Sequence, residues 1–186
     1  MFDRHAERLA QLRPRVLVGQ FAGAAGTLAS LGDKGMAVQA ALCRELGLGQ
    51  PVSTWHVARD ALAETVNFLA LVTGTLGKIA LDLMIMASTE FAEIYEPFVK
   101  GRGASSTMPQ KRNPKLCQDI IAAAMEIRSV VPFALESMQT EHEADRTSSL
   151  TFDSGEARAC IATGDMLARL AEIVALEARV KQHGLP

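Results

Sequence analysis

Apolar residues recur every three or four positions along most of the chain, a spacing that predicts amphipathic α-helices. Sustained alternation of apolar and polar residues, which is typical of half-buried strands, is not found in the sequence. Aromatic residues make up only 5% of the 186 residues, whereas alanine and leucine are abundant. The pattern predicts an all-α fold, built as an elongated bundle of long helices.

Prolines and glycines divide the first part of this pattern into two helices. The first is expected to run to about Arg13, before Pro14. The second is expected to start at about Lys34 and run through GMAVQAALCRELGL, with Gly47, Gly49 and Pro51 as its stop signals. The segment between them, VLVGQFAGAAGTLASLGDKG, is rich in glycine, and each glycine costs roughly 1 kcal/mol relative to alanine in a helix interior. We therefore expect a loop there, or a close approach of the backbone to a ligand or a neighbouring helix.

The longest predicted helix runs from Ser53 or Thr54, either of which can cap a helix, to about Tyr95, with no proline between these ends. At about 1.5 Å per residue, such a helix would be roughly 60 Å long. Its apolar residues are too many for one narrow stripe, so we expect other helices of this chain or of other subunits to bury several of its sides. Lys78 and Asp82 interrupt it, and both are costly at the centre of a bilayer, so no membrane span is expected.

Two further helices are predicted in the second half of the chain. Asn113 is a suitable N-cap and Pro114 a suitable first helical residue, because proline lacks the N–H that would stay unpaired there. Pro132 is expected to kink or end this helix. A last helix is expected from about Gly155 to Gln182, after a polar stretch.

Charge and cysteine content exclude several functions. The 19 basic residues nearly balance the 21 acidic ones, which argues against a nucleic-acid surface. The three cysteines are far apart and odd in number, which favours buried thiols over disulfides or a metal site. The charged start, MFDRHAERLAQLRPR, contains no signal peptide pattern, so we expect a cytoplasmic location. We expect no metal and no cofactor, and the expected partner is a small molecule or another subunit.

One polar stretch, GRGASSTMPQKRNPK, lies between two apolar segments. A serine such as Ser105 or Ser106 acts as a base or nucleophile only if neighbouring groups lower its proton affinity, and Lys111 and Arg112 are close enough in sequence to do so. Backbone donors at the start of the next helix, together with Lys111, would form a site for a carboxylate. The residues alone therefore predict an anion-binding loop with a candidate base, and a solvated surface turn is the alternative.

The segment SSTMPQKRNP closely resembles the signature of the fumarase/aspartase superfamily, G-S-S-x-M-P-x-K-x-N-P, with Ala104 where the family usually has glycine. The resemblance implies a loop, 97–113, that closes over a dicarboxylate or tricarboxylate. It implies that Ser105 is the base that removes a proton β to a carboxylate. It also implies contacts to the substrate from Lys111 and Asn113, and from the rest of the motif, Ser106, Thr107 and Met108.

Two other segments point to a branch of this superfamily. GQFAGAAGTLASLGDKG and STWHVARDALAE look most like the 3-carboxy-cis,cis-muconate cycloisomerase branch, which implies addition of a carboxylate across a double bond to form a γ-lactone in aromatic degradation. Near the C-terminus, QTEHEADR resembles the family's His-Glu-Arg segment, but Arg146 and the pair Ser148 and Ser149 are similar to adenylosuccinate lyases. An adenylosuccinate- or argininosuccinate-type lyase that eliminates fumarate is therefore the alternative.

Four residues outside the signature are further candidates for the site. Arg59 is a candidate because a guanidinium binds a carboxylate through two hydrogen bonds, although an ion pair with Asp60 or Glu64 would explain it equally. The remaining three, each of which has a purely structural alternative, are His56, His142 and Thr27.

The resemblance also implies the organisation of the protein. We expect a central helical-bundle domain, 1–150, and an incomplete C-terminal helical segment, 151–186. Family members are much longer than this chain and carry a Gly-x-Thr-His-x-Gln segment that is not present in the sequence. They form tetramers whose sites are built from three subunits, so a homotetramer and weak or no turnover by this chain alone are expected. A non-catalytic helical oligomerisation fragment is the remaining alternative.

Overall fold

The chain is helical, as the hydrophobic pattern predicts. The computed structural model describes residues 1–53, 56–94, 96, 107–108, 113–141 and 147–180. Helices comprise 71% of the chain, and the described part contains no strand, only a single bridge between Val18 and Gly49. The α-helices are α1 (Phe2–Val16), α2 (Gly35–Leu46), α3 (Asp60–Met86), α4 (Lys115–Glu136) and α5 (Thr147–Val180), and a short 3-10 helix, Ala29–Lys34, precedes α2.

The two prolines that were expected to interrupt helices lie inside them. Pro14 is two residues from the end of α1, and Pro132 is four residues from the end of α4. Each proline removes one backbone hydrogen bond close to a helix end, where the loss is small enough for the helix to continue. The predicted end of the first helix before Pro14 is therefore wrong. Of the two effects predicted for Pro132, the end of α4 is wrong and the kink stays a prediction.

Helix α3 is shorter than its apolar pattern predicts. It begins at Asp60, where the carbonyl of Arg59 accepts the first hydrogen bond, from Ala63. It ends at Met86, beyond which Ala92 adopts a left-handed conformation with φ of 50°. Its 27 residues correspond to about 40 Å rather than roughly 60 Å. The periodic pattern continues past this turn and therefore overestimates the helix; Thr54 and Tyr95, two of its predicted ends, lie outside the described residues.

Much of the apolar surface of α3 is exposed in the single chain. The helix is long and apolar enough to cross a membrane by length and composition, with a window of mean hydropathy 1.7, and 22% of that window is buried. Lys78 and Asp82, one turn apart, form an ion pair on this helix. Large apolar side chains at Leu71, Leu81 and Ile85 are exposed. The sequence predicts that other subunits bury these apolar side chains, and this remains a prediction.

The chain divides into two compact units. Unit 1 contains residues 1–68 and 130–158, and unit 2 contains residues 69–129 and 159–186. In unit 1, a buried cluster of small and β-branched residues is packed against Leu62, Val130 and Val131; its members are Ala63, Val66 and Ala134. The most deeply buried large side chains of unit 2 are Leu76, Leu116, Ile120, Ile127 and Met166. The division at residue 150 that the sequence indicated remains a prediction.

The glycine-rich stretch is a loop up to the 3-10 helix, and it closely approaches α2, as expected. The amide of Gly19 donates to the carbonyl of Gly49 at 2.9 Å, and the amide of Gly49 donates to the carbonyl of Leu17 at 2.8 Å. A Cβ at Gly19 would lie 2.5 Å from Sγ of Cys43 on α2, well inside contact distance. Glycine is therefore required here for the loop to lie against the helix.

Candidate active site

Arg59, at the start of α3, is a buried cation. Its side chain is only 5% exposed, and Nη1 has no hydrogen-bond partner among the described residues. The sequence offered Glu64 as a structural partner, but Glu64 is bound by Arg15 through Nε to Oε2 at 2.9 Å and through Nη2 to Oε1. Asp60, the other possible partner, is exposed and forms no ion pair with Arg59. The ion-pair explanation of Arg59 is therefore wrong within the described part of the chain.

A buried guanidinium without an anion is costly. Taking a charged group out of water carries a penalty of several kcal/mol that only a close counter-charge and hydrogen bonds offset. A guanidinium is not deprotonated in proteins, so loss of a proton does not relieve this penalty. The environment of Arg59 thus favours the approach of an anion such as a carboxylate.

The segment before Arg59 is anchored by two side-chain hydrogen bonds within unit 1. Nε2 of Gln20, in the glycine-rich stretch, lies 2.9 Å from Nδ1 of His56. An amide nitrogen is a donor, so Nδ1 accepts and the neutral imidazole carries its proton on Nε2. Oγ1 of Thr140 donates to the carbonyl of Val57 at 3.0 Å. These bonds fix the exposed His56 and the backbone that leads to Arg59.

Thr27 lies at a turn of the glycine-rich stretch and is exposed. Its Oγ1 accepts a hydrogen bond from the amide of Ala29 at 3.4 Å, at the start of the 3-10 helix. The next residue, Leu28, is buried and adopts a left-handed conformation with φ of 56°, which is rare for a residue with a branched side chain. The hydroxyl of Thr27 therefore supports a strained local turn, and its predicted contact with substrate remains a prediction.

The signature residues fall partly within the described chain. Thr107 and Met108 are exposed, and Asn113 is partly buried just before α4; all three belong to unit 2. Thr27, His56 and Arg59 belong to unit 1. The remaining predicted site residues lie outside the described residues; they are Ser105, Ser106, Lys111 and His142.

The start of α4 is capped by a residue that the sequence analysis missed. Oε2 of Glu96 accepts the amide of Leu116 at 3.1 Å, and Oε1 accepts the amide of Cys117 at 2.8 Å. These are the free donors that the sequence assigned to a substrate carboxylate, so that assignment is wrong for these two amides. The helix begins at Lys115, so Pro114 occupies the cap position and the predicted cap at Asn113 is wrong. Because Pro114 has no side-chain acceptor, the carboxylate of Glu96 replaces it. The lack of a side-chain acceptor at Pro114 was the only sign in the sequence that another residue caps α4.

Glu96 also contacts the thiol of Cys117. Burial, reinforced by the hydrogen bond and the negative charge of Glu96, raises the pKa of Cys117 to about 12. The thiol is therefore neutral at physiological pH and unsuited to nucleophilic attack. Cys43 is also buried, as predicted, whereas Cys160 is exposed, so the prediction of three buried thiols is wrong at that position. No group of metal-binding side chains occurs among the described residues.

Known proteins resemble this chain in both fold and amino-acid sequence. The crystal structure of 3-carboxy-cis,cis-muconate lactonizing enzyme from Pseudomonas putida superposes with a TM-score of 0.79 and 40% identity, over 92% of this chain and 38% of that one. The 3-carboxy-cis,cis-muconate cycloisomerase of Pseudomonas aeruginosa is 49% identical over 140 residues, which are 75% of this chain and 30% of that protein.

A differently named relative is nearly as similar. The N-acetyl-S-(2-succino)cysteine lyase of Dickeya dadantii is 41% identical over 147 residues, 79% of this chain and 32% of that protein. The chain thus spans about a third of the length of the relatives it matches. The family model described as "Lyase" matches residues 1–129, which include the whole signature. The chain therefore belongs to this lyase family of the fumarase/aspartase superfamily.

Proposed function

We propose that the chain forms part of an enzyme that converts 3-carboxy-cis,cis-muconate to a γ-lactone. The observation that carries the proposal is Arg59, a buried guanidinium without a counter-ion among the described residues. A tricarboxylate substrate supplies the anion that this cation lacks, and a guanidinium binds a carboxylate through two parallel hydrogen bonds. The names of the Pseudomonas relatives support this substrate.

Lactone formation requires one bond to oxygen and one proton transfer. A carboxylate oxygen of the substrate adds to the double-bond carbon β to another carboxylate, and the electron pair moves to the neighbouring carbon. Ser105 is the base of the elimination direction, so in the lactone-forming direction its hydroxyl delivers the proton to that carbon. Lys111 and Asn113 hold the carboxylate on which negative charge accumulates, an interaction whose loss costs a few kcal/mol of barrier.

The other candidate residues support this reaction by binding and orientation. Ser106, Thr107 and Met108 would line the substrate beside Ser105. His56, with its proton on Nε2, would donate a hydrogen bond to an anionic oxygen, and Thr27 and His142 are further contacts. In this proposal, side chains of this sequence deliver the proton and stabilise the negative charge.

The test is the loss of diene absorbance when the purified protein is incubated with 3-carboxy-cis,cis-muconate. In keeping with the weak turnover expected of this chain alone, we expect a slow first-order decrease that Ser105→Ala abolishes. Ser129→Ala is the matched control and should leave the decrease unchanged, because Ser129 is an exposed serine of α4 whose hydroxyl donates to the carbonyl of Glu126 in its own helix. A wild-type rate no greater than that of Ser105→Ala contradicts the proposal.

An elimination lyase is the second candidate function. The relative from Dickeya dadantii, a lyase at 41% identity, favours it. The same base chemistry run in the elimination direction would release fumarate from adenylosuccinate or argininosuccinate. Incubation with these two compounds, followed by detection of fumarate, distinguishes the two functions, since a cycloisomerase consumes the muconate and releases no fumarate.

Assembly into a homotetramer is the third element of the proposal. The exposed apolar side chains of α3, with 22% of its most apolar window buried, favour contact with other copies of the chain. Sedimentation velocity tests this element, and we expect a tetramer. A folded monomer contradicts it, and a tetramer without turnover on any of the three substrates would favour a non-catalytic oligomerisation fragment instead.

A further inference from the structure

We propose that Glu96 is the positioning residue of the candidate active site and holds Asn113 in place through the first turn of α4. The inference rests on the proposed function of Asn113 in binding a substrate carboxylate. Glu96 precedes the signature in sequence and Asn113 is its penultimate residue, so one side chain acts across the whole motif. Glu96 is a positioning residue because it acts through the backbone amides of Leu116 and Cys117 in α4.

The contact has the geometry of a helix cap supplied from outside the helix. The two carboxylate oxygens accept separate amides, at 3.1 Å from Leu116 and at 2.8 Å from Cys117. Gln118 donates to the carbonyl of Pro114 at 3.0 Å, which makes Leu116 and Cys117 the second and third residues of the helix. These are the positions whose amides a capping side chain normally satisfies. The negative charge of Glu96 also interacts favourably with the positive end of the helix dipole.

Asn113 is linked to the same turn. Its carbonyl accepts the amide of Lys115 at 2.8 Å, so the backbone of Asn113 follows any movement of the first helical residue. Lys115 forms an ion pair with Asp119, and Asp119 accepts from Nη1 of Arg169 on α5 at 3.0 Å. The turn is thus held on the α5 side by Asp119 and at its amides by Glu96.

The surroundings of Glu96 favour a permanent structural role over exchange with a ligand. Its carboxylate is partly buried and contacts the buried thiol of Cys117 in addition to the two amides. A substrate carboxylate would have to displace a carboxylate that is already present at high effective concentration. Substrate is therefore expected to bind beside this cap, at Asn113, and not at the amides of Leu116 and Cys117.

The experiment compares Glu96→Ala and Glu96→Gln with wild type by amide NMR and hydrogen exchange on the full chain. In Glu96→Ala we expect the amide signals of Leu116 and Cys117 to shift and their exchange to accelerate about five- to tenfold. The side-chain NH₂ signals of Asn113 are expected to shift as well. Glu96→Gln keeps one acceptor oxygen and should give intermediate changes.

Glu93→Ala is the matched control, because Glu93 is an exposed acid three residues earlier in the same segment. It should leave all these signals unchanged. The proposal would be overturned if the Asn113 signals in Glu96→Ala coincide with those in the control. This holds even if the amides of α4 lose protection from exchange, because Glu96 would then cap α4 without positioning Asn113. Unchanged amides of Leu116 and Cys117 would overturn it at the contact itself.

Kinetics separate this inference from the proposed function. With 3-carboxy-cis,cis-muconate as substrate, Glu96→Ala is expected to lower kcat at least tenfold with a smaller change in KM, because Asn113 binds most strongly as charge develops. An equal fall of kcat in Glu93→Ala would contradict the inference. Absence of turnover in wild type would contradict the proposed function alone, and the NMR comparison would still decide whether Glu96 positions Asn113.

Discussion

Arg15 on α1 binds the carboxylate of Glu64 on α3 through two hydrogen bonds, across 49 residues of sequence. The hydrogen bond with Arg15 is the main cause that lowers the pKa of Glu64 below its usual value of 4.5. The same bond raises the pKa of Arg15. Both side chains are largely exposed, so solvent screens the pair and its contribution to stability is modest.

The stabilising effect of this pair is predicted to depend on pH in the acid range. Because the folded-state pKa of Glu64 is lowered, the contribution is fully present above about pH 4.5 and is lost as the pH falls through the lower folded-state value. Urea midpoints of wild type and Glu64→Gln should differ by a constant amount near neutral pH and converge in acid. Glu45→Gln, at an exposed acid on α2, is the control and should show no such convergence. A difference independent of pH would contradict the prediction.

Because Arg15 binds Glu64, Glu64 does not form an ion pair with Arg59. Replacement of Arg59 by Met removes a buried charge that has no carboxylate partner among the described residues. We expect the free energy of unfolding to stay equal or rise by about 1 kcal/mol, since an unsatisfied buried polar group is costly. Calorimetric binding of 3-carboxy-cis,cis-muconate should weaken at least tenfold.

Two further variants make this prediction specific. Arg59→Lys retains the charge and should keep part of the affinity, although it loses the two parallel hydrogen bonds. Arg44→Met, at an exposed arginine of α2, should change neither stability nor binding. If Arg59→Met lowers the free energy of unfolding by more than about 2 kcal/mol, the guanidinium has a structural partner, and its assignment to substrate binding is wrong.

The parts of the fold that the sequence predicted are those with local signals. The end of α2 followed from Gly47, which adopts φ of 66° and donates its amide to the carbonyl of Arg44. Glycine at this position is the ordinary way to end a helix, because it enters the left-handed region without a Cβ penalty. The end of α3 at Met86 was missed because no glycine or proline follows it before Pro97.

The contacts that shape the candidate site could not be predicted, because they join residues that are distant in sequence. Glu96 reaches the amides of Leu116 and Cys117 across some twenty residues, and nothing in the local pattern selects it over Glu93. The pairing of Arg15 with Glu64, rather than Arg59 with Glu64, depends likewise on how α1 packs beside α3 in unit 1. The signature identified the family correctly because its chemistry is carried by adjacent residues.

The close approach of Gly19 to α2 predicts a compensating pair of substitutions. Gly19→Ala places a Cβ 2.5 Å from Sγ of Cys43, and we expect it to lower the free energy of unfolding by about 1–3 kcal/mol. Cys43→Ala removes the sulfur, and the Cβ of residue 43 lies an acceptable 3.7 Å away. The double variant should therefore recover most of the loss in urea denaturation. A penalty of equal size in both backgrounds would show that the clash is elsewhere.

Thiol reactivity gives the last prediction. Cys43 and Cys117 are 2% and 1% exposed, whereas Cys160 lies on the exposed part of α5. With the pKa of Cys117 raised to about 12, its thiolate is negligible even at pH 9, so burial and charge both protect it.

The native protein should therefore show a single rapidly reacting thiol towards an aromatic disulfide reagent, and denaturation should release the other two. Cys160→Ser should abolish the rapid phase, and Cys43→Ala should leave it intact. A rapid phase that survives Cys160→Ser and accelerates in Glu96→Ala would identify Cys117 as the reactive thiol and contradict its burial at the start of α4.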